Sequence, residues 1–475
     1  MSDPSGFLKY NRKNNPLRPI KNRIKDFNEI EQNLGEKDRR QQAARCMNCG
    51  IPFCHHGIFF DGKNVGGCPN NNLIPEWQDL VYQKQDKLAF DRLTLTNPLA
   101  EFTGLVCPAP CEISCNEALH GNGIAIRNNE HYIIENAFKN GWVEDQGKPK
   151  QRNNIPIAII GSGPAGLAAA WRFNQLGYSV SIFEKEDRPG GLLMYGIPNM
   201  HLPKNMVTRR IKVMKNIGIK FYLNSEIGNN ISIKDLEKNF TRIVVCIGAQ
   251  NPRELKVKGR KLKGIKNAVD FLSDTTRHVL LNDKNIYHHL KGKRVLVIGG
   301  GDTANDCIGT SVREGASEVH QLIRRPEPLL KRTPDNPWPE DPKIKKVDYG
   351  QAEAEEVFKN RVTEYQRCVT SFKGKNGYVS QAVVSKAKNR KPIENTGKPL
   401  KVDLVLLALG FSGPEPSYMK KFGIKTKSKD YSTNKEQIYI AGDARRGSSL
   451  VIWALHEGRM VAKATVDSLR KLKKV

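Results

Sequence analysis

The stretch Ile155-Pro-Ile-Ala-Ile-Ile-Gly161-Ser-Gly163-Pro-Ala-Gly166 decides the fold, together with Leu167 to Leu176, Gly177 and the run Tyr178 to Phe183 that ends on Glu184. It reads strand, glycine turn, helix, strand, acid. Ile155 to Ile160 is an apolar run broken only by Pro156, which suits a buried parallel strand. Glu184 lies 18 residues beyond Gly166, at the end of the second apolar run. A glycine turn alone is common, but with both strands, the helix and the acid it is a dinucleotide-binding fingerprint in its β-α-β setting. Gly161 makes the tight turn, Gly163 lets a pyrophosphate approach the backbone, and Gly166 lets helix and strand pack closely. Pro164 and Ala165 open the helix whose N-terminus would meet the phosphates, and Glu184 can accept from a ribose diol.

Just past Glu184, the segment Arg188-Pro-Gly190-Gly191-Leu192 to Pro198 is a glycine-proline loop placed to pass close to a ligand. Helix is expected from Asn205 to Asn216 and strand from Ile219 to Leu223. Arg242 to Ala249 is a buried strand ending in small residues, where Cys246 reads as packing. A second unit begins with the strand Arg294 to Ile298, followed by Gly299-Gly300-Gly301-Asp302-Thr303-Ala304 and a helix. Its next strand, Val319 to Ile323, ends in Arg324-Arg325, where the first unit carries Glu184. An acid there repels a 2′-phosphate and an arginine pair can clamp one, so the second site reads as NADP(H). The plainer alternative is that both arginines are surface charge. The nicotinamide role falls to the second unit, which leaves FAD for the first. Near the C-terminus, a strand at Gln437 to Ile440 runs into Ala441-Gly442-Asp443, an acid suited to flavin ribityl or phosphate oxygens. The last helix is expected from Ser448 to Asp467. Pro326 to Phe358, rich in proline and charge, looks like an insertion over the second site.

Upstream, seven of the ten cysteines lie between Cys46 and Cys115. Cys46, Cys49 and Cys54 form one group, Cys68 stands before Pro69, and Cys107, Cys111 and Cys115 form another. Structural zinc takes four ligands, commonly as two close pairs, and this spacing fits it poorly. Short-spaced triplets with a remote Cys-Pro are the manner of four-iron, four-sulfur sites. Zinc and unligated core thiols stay open as alternatives. Two such clusters need eight ligands and seven cysteines are present, so the count requires a non-cysteine ligand without saying which. Residues 1 to 30 are polar, basic and read as an extended arm. Helices are expected around Asn28 to Arg45, Ile74 to Leu95 and Ile126 to Trp142, and Glu144 to Asn154 is a polar linker.

A chain of 475 residues points to about three domains, with 38% hydrophobic residues of an ordinary soluble kind. Met1 to Tyr10 lacks a hydrophobic stretch, and the longest uncharged run, Asn153 to Trp171, is broken by two prolines and three glycines. A cytoplasmic protein without membrane spans is expected. The net charge of +28 is spread along the chain and mixed with acids, and no nucleic-acid motif accompanies it. A solvated surface accounts for it, and an acidic redox partner would also suit it.

With these residues assembled, the chain resembles the small-subunit (beta-subunit) family of glutamate synthases over nearly its whole length. The resemblance rests on RCMNCGIPFCH at Arg45 to His55, GCPNNNLIPEW at Gly67 to Trp77 and EFTGLVCPAPCE at Glu101 to Glu112. It continues through GIP at Gly196 to Pro198, GGGDTANDCIGTS at Gly299 to Ser311 and AGDARRGSSLVIWALHEGR at Ala441 to Arg459. The same module resembles the N-terminal half of dihydropyrimidine dehydrogenase. The resemblance implies an α/β fold of two Rossmann-like domains, the FAD domain discontinuous and the NADPH domain inserted in it, preceded by a helical iron–sulfur domain. It divides the chain into an arm at 1–30, a helical domain at 31–150 with two four-iron, four-sulfur clusters, an FAD domain at 151–288 and 403–475, and an NAD(P)H domain at 289–402. It implies that Cys46, Cys49, Cys54 and Cys115 hold one cluster, and that Cys68, Cys107 and Cys111 hold the other with Glu130 as the eighth ligand. The activity it implies is electron input from NADPH, through FAD and the clusters, to a large subunit that forms glutamate from glutamine and 2-oxoglutarate. A stand-alone NADPH–ferredoxin-type oxidoreductase, passing electrons to an acidic ferredoxin-like carrier, is the alternative on the same module. The insertion with Asn336 to Pro339 is similar to the NADH-type eukaryotic branch whereas Arg324-Arg325 is like the NADPH-type branch, and the reading follows the arginines because they bear on the 2′-phosphate.

Overall fold

In a computed structural model, residues 3–56, 58–60, 63–425 and 428–472 are described. Among its described residues the cysteine-bearing region has five helices longer than four residues: α1 (Glu36–Ala44), α2 (Ile74–Tyr82), α3 (Asp86–Thr94), α4 (Ala100–Val106) and α5 (Ile126–Lys139). Trp77, Phe90, Phe102 and Ile133 fill its centre and are each no more than 1% exposed.

The quoted fingerprint folds as β1 (Pro156–Ile160), α6 (Pro164–Gln175) and β2 (Ser179–Phe183). After α7 (Lys204–Asn216) come β3 (Lys220–Tyr222) and β4 (Arg242–Val245). A second unit follows, with β5 (Ile265–Asn267), α8 (Ala268–Leu280), β6 (Arg294–Ile298), α9 (Asp302–Arg313) and β7 (Glu318–Ile323). Next are α10 (Tyr349–Phe358), β8 (Thr363–Tyr365), β9 (Arg367–Lys375), β10 (Tyr378–Lys388), β11 (Lys398–Lys401) and β12 (Leu404–Leu407). The chain ends with β13 (Ile438–Ile440) and the 22-residue α11 (Val451–Leu472).

Two five-stranded parallel sheets result. The first has the order β13-β4-β1-β2-β3, so its outer strand comes from the chain's end and the unit is interrupted by the second. The second has the order β8-β7-β6-β12-β5. Strands buried on both faces read as unbroken apolar runs, which is why Ile157 to Ile160 and Val295 to Ile298 were so plain in the sequence. β9, β10 and β11 form an antiparallel meander beside the second sheet.

Three expectations shift. β5 and β12 pair in the second sheet although both lie outside 289–402, so that unit reaches further in both directions than expected. The N-terminal arm is not merely extended. Ile30 donates its N–H to the Met200 carbonyl at 3.1 Å, and Arg23, 4% exposed, pairs with Glu353 at 2.5 Å in the second unit. A buried arginine persists only where its charge is met, and here the Glu353 carboxylate also takes Arg313 at 2.5 Å. The proline-rich insertion, finally, turns toward the helical domain. Trp338 packs against Phe53 with the rings tilted by 53° and their centroids 5.2 Å apart, and donates Nε1–H to the Cys115 carbonyl.

α11 packs along α6, where a Cβ on Gly458 would sit 2.2 Å from the Ala165 carbonyl oxygen. The small residues at Ala168 to Ala170 that follow the glycine turn let these two helices approach closely.

Candidate functional site

The glycine turn of the first unit is closed on two sides and open on a third. Gly161 has φ +98°, and a Cβ there would meet the Cys246 carbonyl oxygen at 2.6 Å. A Cβ on Gly166 would lie 2.0 Å from the Gly161 carbonyl oxygen, whereas around Gly163 nothing stands within 4 Å. A cradle of this shape, at the N-terminus of α6, is what a pyrophosphate needs. Gly191, at φ +55°, is the other wall, with Gly163 Cα 2.9 Å from where its Cβ would be.

Glu184 is buried and partly engaged within the chain. Its Oε2 accepts from Ser162 N at 3.0 Å and Ser162 Oγ at 2.5 Å, and Oε1 accepts from Glu186 N at 3.0 Å. These bonds fix the carboxylate beside the turn and leave it acceptor capacity toward the cavity. Gly442 has φ +69° and a Cβ there would lie 2.7 Å from Ala165 Cβ, and Asp443 accepts from Ser449 Oγ at 2.6 Å. Burial raises the Asp443 carboxyl above the usual range.

Gly161, Gly163, Pro164, Ala165, Glu184, Gly191, Leu192 and Asp443 all line one cavity of about 770 Å³. Asp302 and Thr303 of the second unit line it too, and so do Val106 and Pro108, the two neighbours of Cys107. One space therefore joins both dinucleotide units and the thiol-bearing domain. Gly166, Gly442, Gly299, Gly300, Gly301 and Ala304 are not among the residues that line it, and Gly300 and Gly301 are exposed. At the second turn, Gly299 has φ +143° and a Cβ there would meet the Ala408 carbonyl oxygen at 2.2 Å, while around Gly301 nothing lies within 4 Å. A Cβ on Gly300 would touch Ile323, the last residue of β7, so Arg324 and Arg325 follow directly beside this turn. Both arginines are exposed, outside the cavity lining, and without a side-chain partner among the described residues.

The thiols fall into two groups. Cys46, Cys49, Cys54 and Cys115 line a second, smaller cavity with Ile74, Ile124 and Ile126. Cys68, Cys107 and Cys111 are buried, and the Glu130 charge acts on all three. Glu130 is 7% exposed, accepts from the Thr103 hydroxyl and from Asn97 Nδ2 at 2.9 Å, and is pushed up to about 7 by burial. The loops of the two groups are laced together by Cys68 N donating to the Cys54 carbonyl at 2.9 Å.

Sulfurs on a tetrahedral zinc ion lie about 3.8 Å apart, given Zn–S bonds of about 2.3 Å. Among the described residues, the one His/Cys/Asp/Glu group with ligand atoms all within 4.8 Å of one another is His278, Asp283 and His289. Neither thiol group is drawn in to that spacing, which fits a polynuclear centre better than zinc. Burial pushes Cys46 and Cys68 up to about 12, so these sulfurs keep their protons at neutral pH until a metal displaces them.

Sequence reasoning missed His201, Asp306 and Tyr349. His201 and Asp306 line the central cavity, and Asp306 faces His201 Nδ1 at 3.2 Å and accepts from the Tyr349 hydroxyl at 2.6 Å. Asp306 stands one helical turn after Asp302, a spacing the sequence did offer, whereas a single histidine in a loop carried no signal.

A parallel dinucleotide sheet interrupted by a second one, with a thiol-rich domain at the shared cavity, defines the class of pyridine-nucleotide oxidoreductases that carry an iron–sulfur domain. A family model described as pyridine nucleotide-disulphide oxidoreductase matches residues 155–458, and one described as dihydropyrimidine dehydrogenase domain II, 4Fe-4S cluster, matches residues 23–142. The glutamate synthase (NADPH) small chain of Bacillus subtilis is 42% identical over 483 residues, covering 98% of this chain and 97% of that protein. The glutamate synthase (NADH) of Schizosaccharomyces pombe is 43% identical over 481 residues, covering 96% of this chain and 22% of that much longer protein. The Mycobacterium tuberculosis FprA structure in complex with NADPH has a TM-score of 0.54 at 19% identity, over 68% of this chain and 86% of that one, a likeness of fold alone. The chain belongs to the glutamate synthase small-chain family. It is an NAD(P)H-dependent flavin and iron–sulfur oxidoreductase with the electron-input role of that family. Among the described residues no helix is long and apolar enough to cross a membrane.

Proposed function

We propose that NADPH docks on the second unit, that FAD lies along the first, and that two four-iron, four-sulfur clusters lead from the flavin to a glutamate synthase large chain. When bound, these groups supply the chemistry: a hydride from the nicotinamide, its division into single electrons at the flavin, and conduction through iron and sulfide. The chain's own residues bind, orient and insulate. Gly161 to Gly166 and Asp443 seat the flavin nucleotide, with Glu184 on its ribose. Gly299 to Ala304 receive the nicotinamide nucleotide's pyrophosphate on the α9 N-terminus. Cys68, Cys107, Cys111 and Glu130 hold the cluster nearer the flavin, and Cys46, Cys49, Cys54 and Cys115 hold the outer one.

The observation that carries this order is that Val106 and Pro108, which flank Cys107, line the dinucleotide cavity itself. No neighbour of Cys46, Cys49, Cys54 or Cys115 lines that cavity, and Cys49 is the one of the seven cysteines that is only half-buried. The path thus runs from cavity to surface, where Met47 and Ile51 are exposed beside it. The division into arm, helical domain, interrupted flavin domain and inserted nucleotide domain belongs to this proposal, and so does a cytoplasmic, reducing location, which keeps cysteine thiols free to take iron.

Anaerobic purification should yield about eight iron and eight sulfide per FAD, together with a co-purifying large chain. Four iron per FAD would remove one cluster. Consistent recovery without a large chain but with a small acidic ferredoxin would replace the proposed partner.

The nucleotide choice has its own test. Arg324→Ala combined with Arg325→Ala should raise KM for NADPH by about 10-fold or more, since each charged hydrogen bond contributes roughly 1.5–3 kcal/mol, and should leave NADH nearly unchanged. Both side chains are exposed and free of intramolecular partners among the described residues, so little stability is at stake. An equal rise for both nucleotides would remove the 2′-phosphate role.

A further inference from the structure

The second nucleotide site has one feature supplied by the other unit. His201 follows the Gly196-Ile-Pro198 loop and precedes α7 of the flavin unit, yet its ring reaches α9 of the nucleotide unit. Asp306, 4% exposed, faces Nδ1 at 3.2 Å and is held in turn by the Tyr349 hydroxyl at 2.6 Å, and the His201 and Tyr349 rings meet edge-on with centroids 5.6 Å apart. With Nδ1 taken up by Asp306, Nε2 is the ring nitrogen left for the cavity, whose lining His201 shares with Asp302 and Thr303.

Charge gives that nitrogen a task. The first turns of α9 are where a dinucleotide's phosphates would dock, but Asp302 and Asp306 both act on Asp348 there, and the cations that oppose them are Lys346, which is exposed, and His201. Three carboxylates beside a polyanion are unfavourable without a facing cation. Lys204 is not that cation. Burial pulls it down to about 7, and its ammonium nitrogen is turned to the Leu193 and Ile197 carbonyls at 2.8 and 2.6 Å. Arg127 and Glu31, the other charges felt at His201, are paired with each other at 2.6 Å.

We propose that His201 is a binding residue for the phosphates of the nicotinamide nucleotide, presented from the flavin unit and charged by Asp306. The second site is then complete only when both units are in place, and nucleotide binding draws them together. This rests on the nicotinamide nucleotide occupying the second unit. Burial works against the imidazolium, but the Asp306 charge and hydrogen bond outweigh it and hold the group above its usual value. The cation is fully present below the usual imidazole value and is lost as pH rises through the raised one.

Calorimetric titration of the FAD- and iron-loaded protein with NADP+ at pH 6 and pH 8.5 tests the proposal without turnover. His201→Gln keeps a donor and loses the charge, so it should bind about 5-fold more weakly than wild type at pH 6 and equally at pH 8.5, a net hydrogen-bond-sized difference. His201→Lys, cationic at both values, should lose the pH dependence while keeping wild-type affinity at pH 6. It also serves if the glutamine variant does not fold. The titration of the ligand's own 2′-phosphate enters every protein alike, so only differences between proteins are read. Parallel pH curves for wild type and either variant, shifted or not, would overturn the role of His201. Absence of NADP+ binding by wild type at either pH would instead sink the placement of the nucleotide, and the His201 assignment with it.

Discussion

Arg210→Met is expected to destabilise the protein by about 3–5 kcal/mol, the cost of stranding a buried charge. Arg210 and Glu101 are both 0% exposed, with Nε to Oε1 at 2.5 Å and an amino nitrogen to Oε2 at 3.0 Å. The guanidinium also lies over the Trp171 and Phe138 rings, 5.1 and 5.0 Å from their centroids. The pair joins α7 of the flavin unit to α4 of the helical domain, so it stitches the two bodies whose alignment matters for electron passage. α4 ends at Val106, one residue before Cys107, and a loosened seam would displace that wall of the cavity. Methionine keeps most of the volume but leaves the Glu101 carboxylate dry and unpaired. Adding Glu101→Leu should recover most of the loss, because a well-packed apolar pair often matches a buried ion pair. Thermal unfolding of the three loaded proteins checks this, with flavin content read alongside. A single variant within 1 kcal/mol of wild type would show that water reaches Glu101 and that the seam is not dry.

Local chemistry is what the sequence exposes, and distance is what it hides. The two glycine turns were legible because each role, a positive φ or a missing Cβ, is set by neighbours a few residues away, as at Gly161 and Gly166. That the thiols bind a metal centre was legible from spacing, but spacing set Cys115 beside Cys107 and Cys111, and moving it to Cys46, Cys49 and Cys54, like placing Glu130 with Cys68, Cys107 and Cys111, took the family resemblance. By contrast Arg23 finds Glu353 across 330 residues, and nothing in a basic arm marks one arginine as buried. β5 escaped notice because Ile265-Lys-Asn is short and half polar and becomes a strand only by pairing with β12. β12 falls in the stretch 403–475 expected in the FAD domain, yet it pairs in the second sheet, since an apolar strand fits either of two parallel sheets equally well. His201 and Asp306 come from separate units, and only the folded chain sets them 3.2 Å apart.

Cys107→Ser should separate the two halves of the activity. The residue is buried, 8% exposed, its sulfur accepts from Ala109 N at 3.4 Å, and its neighbours Val106 and Pro108 face the dinucleotide cavity. Serine is a hard, weakly acidic ligand in place of a soft thiolate, and it lowers the hold on iron at the step nearest the flavin. The cradle at Gly161 to Gly166 is built by α6, β1 and β4, none of which includes this loop, so flavin binding and NADPH-to-dye reduction should persist near wild-type rates. Delivery to the large chain, read as NADPH-dependent glutamate formation by the assembled enzyme, should fall by about 100-fold or more, beyond the 10–100-fold that losing an outer-shell partner alone costs. Iron content should drop in the same preparation while FAD stays at one per chain. Cys49→Ser, at the proposed outer group, should also block delivery and spare the dye, as a single path through both groups requires. If dye reduction collapsed in Cys107→Ser with FAD still bound, the dye would be drawing its electrons from the iron centres and not from the cavity. If glutamate formation survived, the path would leave the cavity elsewhere, and Val106 and Pro108 would be a wall of the flavin site and no more.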